Sequence, residues 1–151
     1  MAFLSSLDIT GSALTAERYR AEVILQNISN ARVTRTPSGG PYRRQQVIFE
    51  ERPLRSMSFN EHFRHACIRS KGASKSGGVR VQQMVDSTNE FKPVYDPTHP
   101  DADDDGYVWY PNVDTTEEIT DLMAATNAYE ANLTALNVVK AMINKSLDMA
   151  R

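Results

Sequence analysis

The chain has 151 residues, 40% of them hydrophobic and 24% charged, with a formal net charge of −2. That is one domain's worth of ordinary soluble composition, and no stretch approaches the ~18 consecutive apolar residues of a membrane span. The single cysteine, Cys67, excludes an internal disulfide and leaves the redox compartment open.

The small net charge hides an asymmetry. Residues 1–75 hold 12 Lys and Arg against 6 Asp and Glu, and residues 76–151 hold 5 against 13. Halves of about +6 and −8 attract one another, or a copy of the chain, so the pattern bears on assembly and not on fold. Residues 1–8 carry neither the basic region nor the apolar core of a cleavable signal, which predicts a cytoplasmic protein or one exported uncleaved.

All seven prolines lie between Pro37 and Pro111, and every glycine except Gly11 lies there too. These breakers divide the chain into helix, irregular or β insert, and helix. The predicted fold class is α+β: a discontinuous helical part, 1–36 plus 112–151, and a β-rich module over 37–111.

In the first segment Phe3, Leu7, Leu14, Ala21, Ile24, Ile28 and Ala31 fall on one helical stripe, with Leu4 and Leu25 beside it and Glu17 inside it. Asp8 or Thr10 is the predicted cap, and Asn27, Asn30 and the run from Thr34 to Pro37 end the helix. Residues 36–41, TPSGGP, read as a turn.

Strand-like runs follow at Gln45–Glu50, Gly78–Val85 and Tyr107–Tyr110. Between the first two, Ser56–Arg69 reads as a turn or two of helix, with Phe59, Phe63 and Cys67 four apart, and Ser70–Gly78 reads as a flexible loop.

The last segment carries the longest helical signal. Thr115 with Glu118 three residues on has capping-box spacing, which places the helix start near Thr116. From there Ile119, Leu122, Thr126, Tyr129, Leu133, Leu136, Lys140, Ile143, Leu147 and Ala150 step by three and four, a heptad seam. A helix of about 50 Å is longer than a domain of this size buries along one face, so the seam needs a partner. The two stripes cover each other if the insert returns the chain antiparallel, and Leu25, Met123 and Val139 are then left for neighbours.

Several residue groups invite a chemical reading. Asp101, Asp103 and Asp105 followed by Gly106 have the opening of an EF-hand calcium loop. However, Asn112 stands where a bidentate Glu is needed, and Pro97 and Pro100 forbid the entering helix, so an acidic turn is the preferred reading. A small cation-binding or interaction module built on Asp101–Gly106 is the alternative function. His62, His65 and Cys67 supply three zinc-type ligands but no fourth. Cys67 as a nucleophile lacks an oxyanion hole and an orienting acid, so a partly buried thiol is preferred.

Arg32, Arg35, Arg43 and Arg44 bracket the Gly-Gly turn and could meet phosphates. No nucleic-acid motif accompanies them, and pairing with the acidic half of a neighbouring molecule is the better reading. Tyr107, Trp109 and Tyr110 read as core or interface. No nucleophile, base and acceptor set emerges, so the chain reads as no enzyme, with no cofactor.

Residues 8–16, DITGSALTA, and the run from Asn27 to Thr34 resemble the amino-terminal signature of bacterial flagellar rod and hook proteins. Residues 34–45, TRTPSGGPYRRQ, are similar to the proximal rod proteins of the flagellar basal body, as are 95–103, YDPTHPDAD, 106–113, GYVWYPNV, and Tyr129–Asn132. The family's Asn-Asn-x-Ala-Asn pattern departs here to QNISN at 26–30, and Ser56–Gly77 matches no part of it.

The resemblance implies a structural subunit whose terminal helices pair as a coiled coil lining a hollow helical tube, the drive shaft and export conduit of the basal body, with the β-rich module outside. It implies partners in copies of the chain and other rod proteins, and export without signal cleavage by the flagellar type III apparatus. It implies a place in the rod, in the periplasmic or cell-wall space, without nucleic acid or membrane insertion, and terminal helices that are disordered before assembly.

The assembly-interface candidates are then Leu7, Leu14, Ile24, Leu25 and Ile28 of the first stripe. In the second they are Ile119, Leu122, Tyr129, Leu133, Leu136, Ile143 and Leu147, with Asn27, Asn30 and Asn132 setting register.

Overall fold

The computed structural model describes residues 2–37, 39–52 and 77–149, with side chains from residue 5 onward. The predicted helical turns at 56–69, most of the 70–78 loop, the His62, His65 and Cys67 set, and the side chains of Phe3, Leu4 and Ala150 lie outside the described residues.

Two long helices and two antiparallel strand pairs make an α+β fold. Helix α1 spans Ala2–Ser29. It begins well before the predicted Asp8 or Thr10 cap. The Thr10 hydroxyl donates instead to the carbonyls of Ser6 and Leu7 at 2.9 and 3.1 Å, so it is satisfied inside a helix already formed. At the far end the Ala31 amide bonds Ile28 three residues back, tightening the last turn where the stripe stops. The predicted turn follows: the Thr36 amide donates to Gly40 at 2.9 Å, and Gly39 and Gly40 take the positive φ values, 82° and 91°, that the reversal requires.

Strands β1 (Gln45–Glu51) and β2 (Val79–Asp86) pair antiparallel, with a bulge between Ile48 and Phe49. They pack on α1. Strands β3 (Lys92–Tyr95) and β4 (Tyr107–Tyr110) form a second pair in which Val108 is fully buried. β3 is absent from the sequence reading because Pro93 removes a ladder donor. A two-stranded pair tolerates that loss because each strand is an edge.

Helix α2 spans Thr115–Met149. Asp114, and not Thr115, is its cap: the Asp114 carboxylate accepts the Thr116 amide at 2.9 Å, and the Glu118 amide closes the first helical bond on the Asp114 carbonyl. Those backbone bonds hold the Asp114 carboxyl below its ordinary value.

Helices α1 and α2 pack on each other. Asn27 meets Glu118 and Arg20 meets Asp121, so residue numbers fall along one helix as they rise along the other. The pair is antiparallel. At roughly 1.5 Å per residue α2 is about 52 Å long and α1 about 42 Å, so the C-terminal end of α2 outruns its partner.

The α1-facing stripe of α2 is built from Glu118, Leu122, Ala125, Ala128, Asn132 and Leu136, all buried or half-buried. It lies mostly one position off the predicted seam. Ala125 and Ala128 let the helices come close, whereas the larger Ile119, Tyr129 and Leu133 of the predicted seam are turned outward.

A buried polar clamp and exposed helix flanks as the candidate assembly site

The helix pair is tied at one end by a cluster of polar side chains drawn from α1, the loop before β1, and α2. Asn27 and Glu118 are both 0% exposed. A buried amide is stable only when its bonding capacity is filled. Asn27 Oδ1 accepts from the Tyr42 hydroxyl at 2.9 Å and the Gln45 amide at 3.0 Å. Its Nδ2 donates to the Gln45 carbonyl at 2.8 Å and to Glu118 Oε2 at 2.9 Å.

Glu118 Oε1 in turn accepts from Arg44 Nε at 2.5 Å, and Arg44 Nη2 reaches Asp121 at 3.4 Å. The Arg44 amide donates to the Asn112 side chain at 3.2 Å, which fixes the backbone that carries the guanidinium. Burial pushes the Tyr42 hydroxyl above its ordinary pKa, with the Asp86 carboxylate adding to the effect, so it remains a hydrogen donor to Asn27.

This clamp was only partly foreseen. Asn27 stands among the interface candidates, yet with Ile24 it is buried inside the chain and offers no surface to a neighbour. Glu118 is no capping-box residue, since it turns inward to Asn27 and Arg44. Two arginines of the 32–44 segment pair within the chain, where a neighbouring molecule was expected: Arg44 with Glu118 and Asp121, and Arg35 with Asp101 at 3.8 Å. Arg43 stacks on Phe91 at 4.7 Å from the ring centre. The charge asymmetry thus acts first within one molecule, because the loop lays the basic segment across the acidic start of α2.

The acidic turn is likewise engaged by protein. Asp101 accepts the Thr34 hydroxyl at 2.8 Å, and Asp103 accepts the Trp109 indole N–H at 2.6 Å. Gly106, at φ 78°, closes the reversal into β4. Among the described residues no three His, Cys, Asp or Glu side chains gather as metal ligands, and no helix is long and apolar enough to cross a membrane.

A second close fit joins α1 to β2. The Ser12 hydroxyl donates to the Ile9 carbonyl at 2.7 Å and accepts the Val79 amide at 3.1 Å. Gly78, at φ 138°, lies directly against it: a Cβ there would stand 2.3 Å from Ser12 Oγ.

Of the remaining interface candidates, Leu7, Leu14, Ile28, Asn30, Leu122, Asn132, Leu136 and Ile143 are half-buried. Leu25, Ile119, Tyr129, Leu133 and Leu147 are exposed. Of the flank residues expected to be left for neighbours, Met123 is exposed and Val139 is half-buried, and the structure adds Val138, Met142 and Met149, which are also exposed on α2. Large apolar residues exposed in this number along one helix mark an interaction surface.

A family model described as the C-terminal part of the flagellar basal body rod FlgEFG proteins matches residues 104–149, which include β4 and α2. Over 152 residues the chain is 40% identical to the flagellar basal-body rod protein FlgC of Borreliella burgdorferi, covering 97% of each. It is 37% identical to the proteins of that name from Bacillus subtilis and Escherichia coli O157:H7, covering 100% of each chain.

Proposed function

The chain belongs to the FlgC family of flagellar basal-body rod proteins, a structural subunit of the rod and not an enzyme, and on that premise we propose how it works. It assembles with copies of itself and with other rod proteins by burying the outward apolar flanks of α2 and the exposed part of α1. The clamp holds the two helices of each subunit in fixed register while neighbours cover what the pair leaves bare. The terminal helices form the wall of a hollow helical tube, and the strand pairs lie outside it. The subunit reaches that site uncleaved through the flagellar type III apparatus.

The observation that carries this reading is the exposure of Ile119, Met123, Leu133, Val138, Met142 and Leu147 on a helix already paired with α1. Burying a Leu or Ile side chain contributes about 1.5–3 kcal/mol each, so a neighbour gains much by covering them. The subunit–subunit contact is head-to-tail in kind, because a flank that does not face its own copy propagates as a helix and does not close.

The test is Leu133→Asp in a motile strain whose chromosomal gene carries the change. Leu133 is exposed, so the isolated subunit keeps its fold, while rods fail to assemble and motility is lost. Normal motility in that strain overturns the reading.

A further inference from the structure

Apart from Tyr129 and Leu147, which lie at the edge and beyond the end of the α1-facing side, the large exposed apolar residues of α2 form not one stripe but two. At about 100° per residue, Ile119, Met123, Glu130 and Leu133 fall within about 80° of one another, all toward the N-terminal half. Val138, Met142, Lys145 and Met149 fall within about 60° of one another, all toward the C-terminal half. The two stripes and the α1-facing side are spaced roughly 120° apart, so α2 has three sides, one of them used within the chain. All eight residues are exposed, and neither Glu130 nor Lys145 makes an ion pair with any described residue.

The stripes complement each other. Each carries three apolar residues and one charge, and the charges are opposite. Resting on the assembly reading above, we propose that the N-terminal stripe of one α2 docks against the C-terminal stripe of α2 in a second copy, the two helices parallel and staggered. Matching Ile119 to Val138, Met123 to Met142, Glu130 to Lys145 and Leu133 to Met149 requires shifts of 15 to 19 residues, or an axial stagger of about 26 Å at roughly 1.5 Å per residue. A single shift serves all four pairs to within about a helical turn, which is what parallel helices need to interdigitate.

The charges also set polarity. At the proposed stagger Glu130 of one copy comes level with Lys145 of the next, an attraction that an unstaggered pair of these helices lacks. Because the two stripes differ, every copy accepts one neighbour and offers itself to another, and the contact repeats without closing.

Disulfide trapping tests this in assembled rods. In a Cys67→Ser background, a chain carrying both Met123→Cys and Met142→Cys holds its two thiols about 28 Å apart on one helix, too far to join within a molecule. Oxidation of basal bodies from motile cells with copper phenanthroline then gives covalent dimers and larger multimers, and neither single-cysteine chain gives any. Linkage of Met123→Cys to itself, or no linkage from the double variant in rods of motile cells, overturns the stagger. Motile cells show that the rod is built, so that failure leaves the assembly reading standing.

A charge exchange gives an independent measurement. Glu130→Lys and Lys145→Glu each impair swimming, and the chain carrying both recovers it. Unimpaired single variants, or a double variant no better than either, overturn the pairing.

Discussion

Asn27 and Glu118 stand 91 positions apart in sequence, have no exposed surface, and share a hydrogen bond of 2.9 Å that ties the end of α1 to the first turn of α2. The bond makes the antiparallel pair a matter of register and not only of apolar contact. Everything about the site depends on that register, because it decides which side of α2 remains for other molecules.

Replacing Asn27 with Ala leaves the Tyr42 hydroxyl, both Gln45 backbone groups and Glu118 short of a partner in a buried setting. Each such orphan costs about 1–3 kcal/mol, so chemical denaturation is expected to show a loss of about 3 kcal/mol or more. Arg44→Met strands the Glu118 charge and costs about 3–5 kcal/mol, and adding Glu118→Leu recovers most of it, because a buried ion pair is dearer to break than to replace.

Ala125 is 1% exposed, on the stripe of α2 that faces α1. Ala125→Leu overpacks that face and is expected to destabilise the isolated subunit by about 1–3 kcal/mol. Leu133→Asp, on the outer side, changes the same melt by no more than about 0.5 kcal/mol. Leu136→Asp, half-buried toward α1, harms both fold and assembly. The contrast between positions 133 and 136 in a thermal melt therefore checks the helix phase directly.

Backbone bonds from Thr116 and Glu117 hold the Asp114 carboxyl below its ordinary value of 3.8. A depressed carboxyl contributes its full stability above the unfolded value and loses it as pH falls through the folded one. Melting temperature followed downward from pH 5 should fall more steeply in the native chain than in Asp114→Asn. The Asn side chain still caps the helix but does not titrate.

Gly78→Ala places a methyl against the Ser12 hydroxyl in a backbone conformation that L side chains rarely adopt. The expected cost is about 1–3 kcal/mol, read as a lower denaturation midpoint. Adding Ser12→Ala removes the clash but also the acceptor for the Val79 amide, so it recovers only part of the loss.

Few large side chains are buried between α1 and α2, and circular dichroism on dilution provides a further check. Helical signal should decline as monomer concentration falls and rise when subunits are concentrated, since neighbours supply the missing cover. A concentration-independent, fully helical signal would mean that the pair is sufficient by itself.

Among the described residues both long helices and three of the four strands were legible from breakers and periodicity, with ends correct to about a residue at β1, β2 and β4. The phase of α2 was not. Ranking positions by size picked Ile119, Leu133 and Leu147, but Ala125 and Ala128 bury better against a close helix, and the bulky residues are displaced outward. The start of α1 was misplaced because Asp8 and Thr10 resemble caps, and no local signal says that a threonine will satisfy itself on a preceding turn.

Glu118 and Arg44 were each read locally, as a cap and as part of a basic run. Their pairing joins segments 74 positions apart, a distance that helical periodicity does not reach. The one signal that pointed to it was the opposite charge of the two halves, which left attraction within the chain and to a copy equally open, while the arginine run itself was assigned to a neighbouring molecule.

The polar clamp sits at one end of the helix pair, and toward the other end α1 is fastened to β2 through Ser12 and Val79. A neighbour that covers the exposed flanks near Met142 therefore completes a seam that one subunit closes only in part.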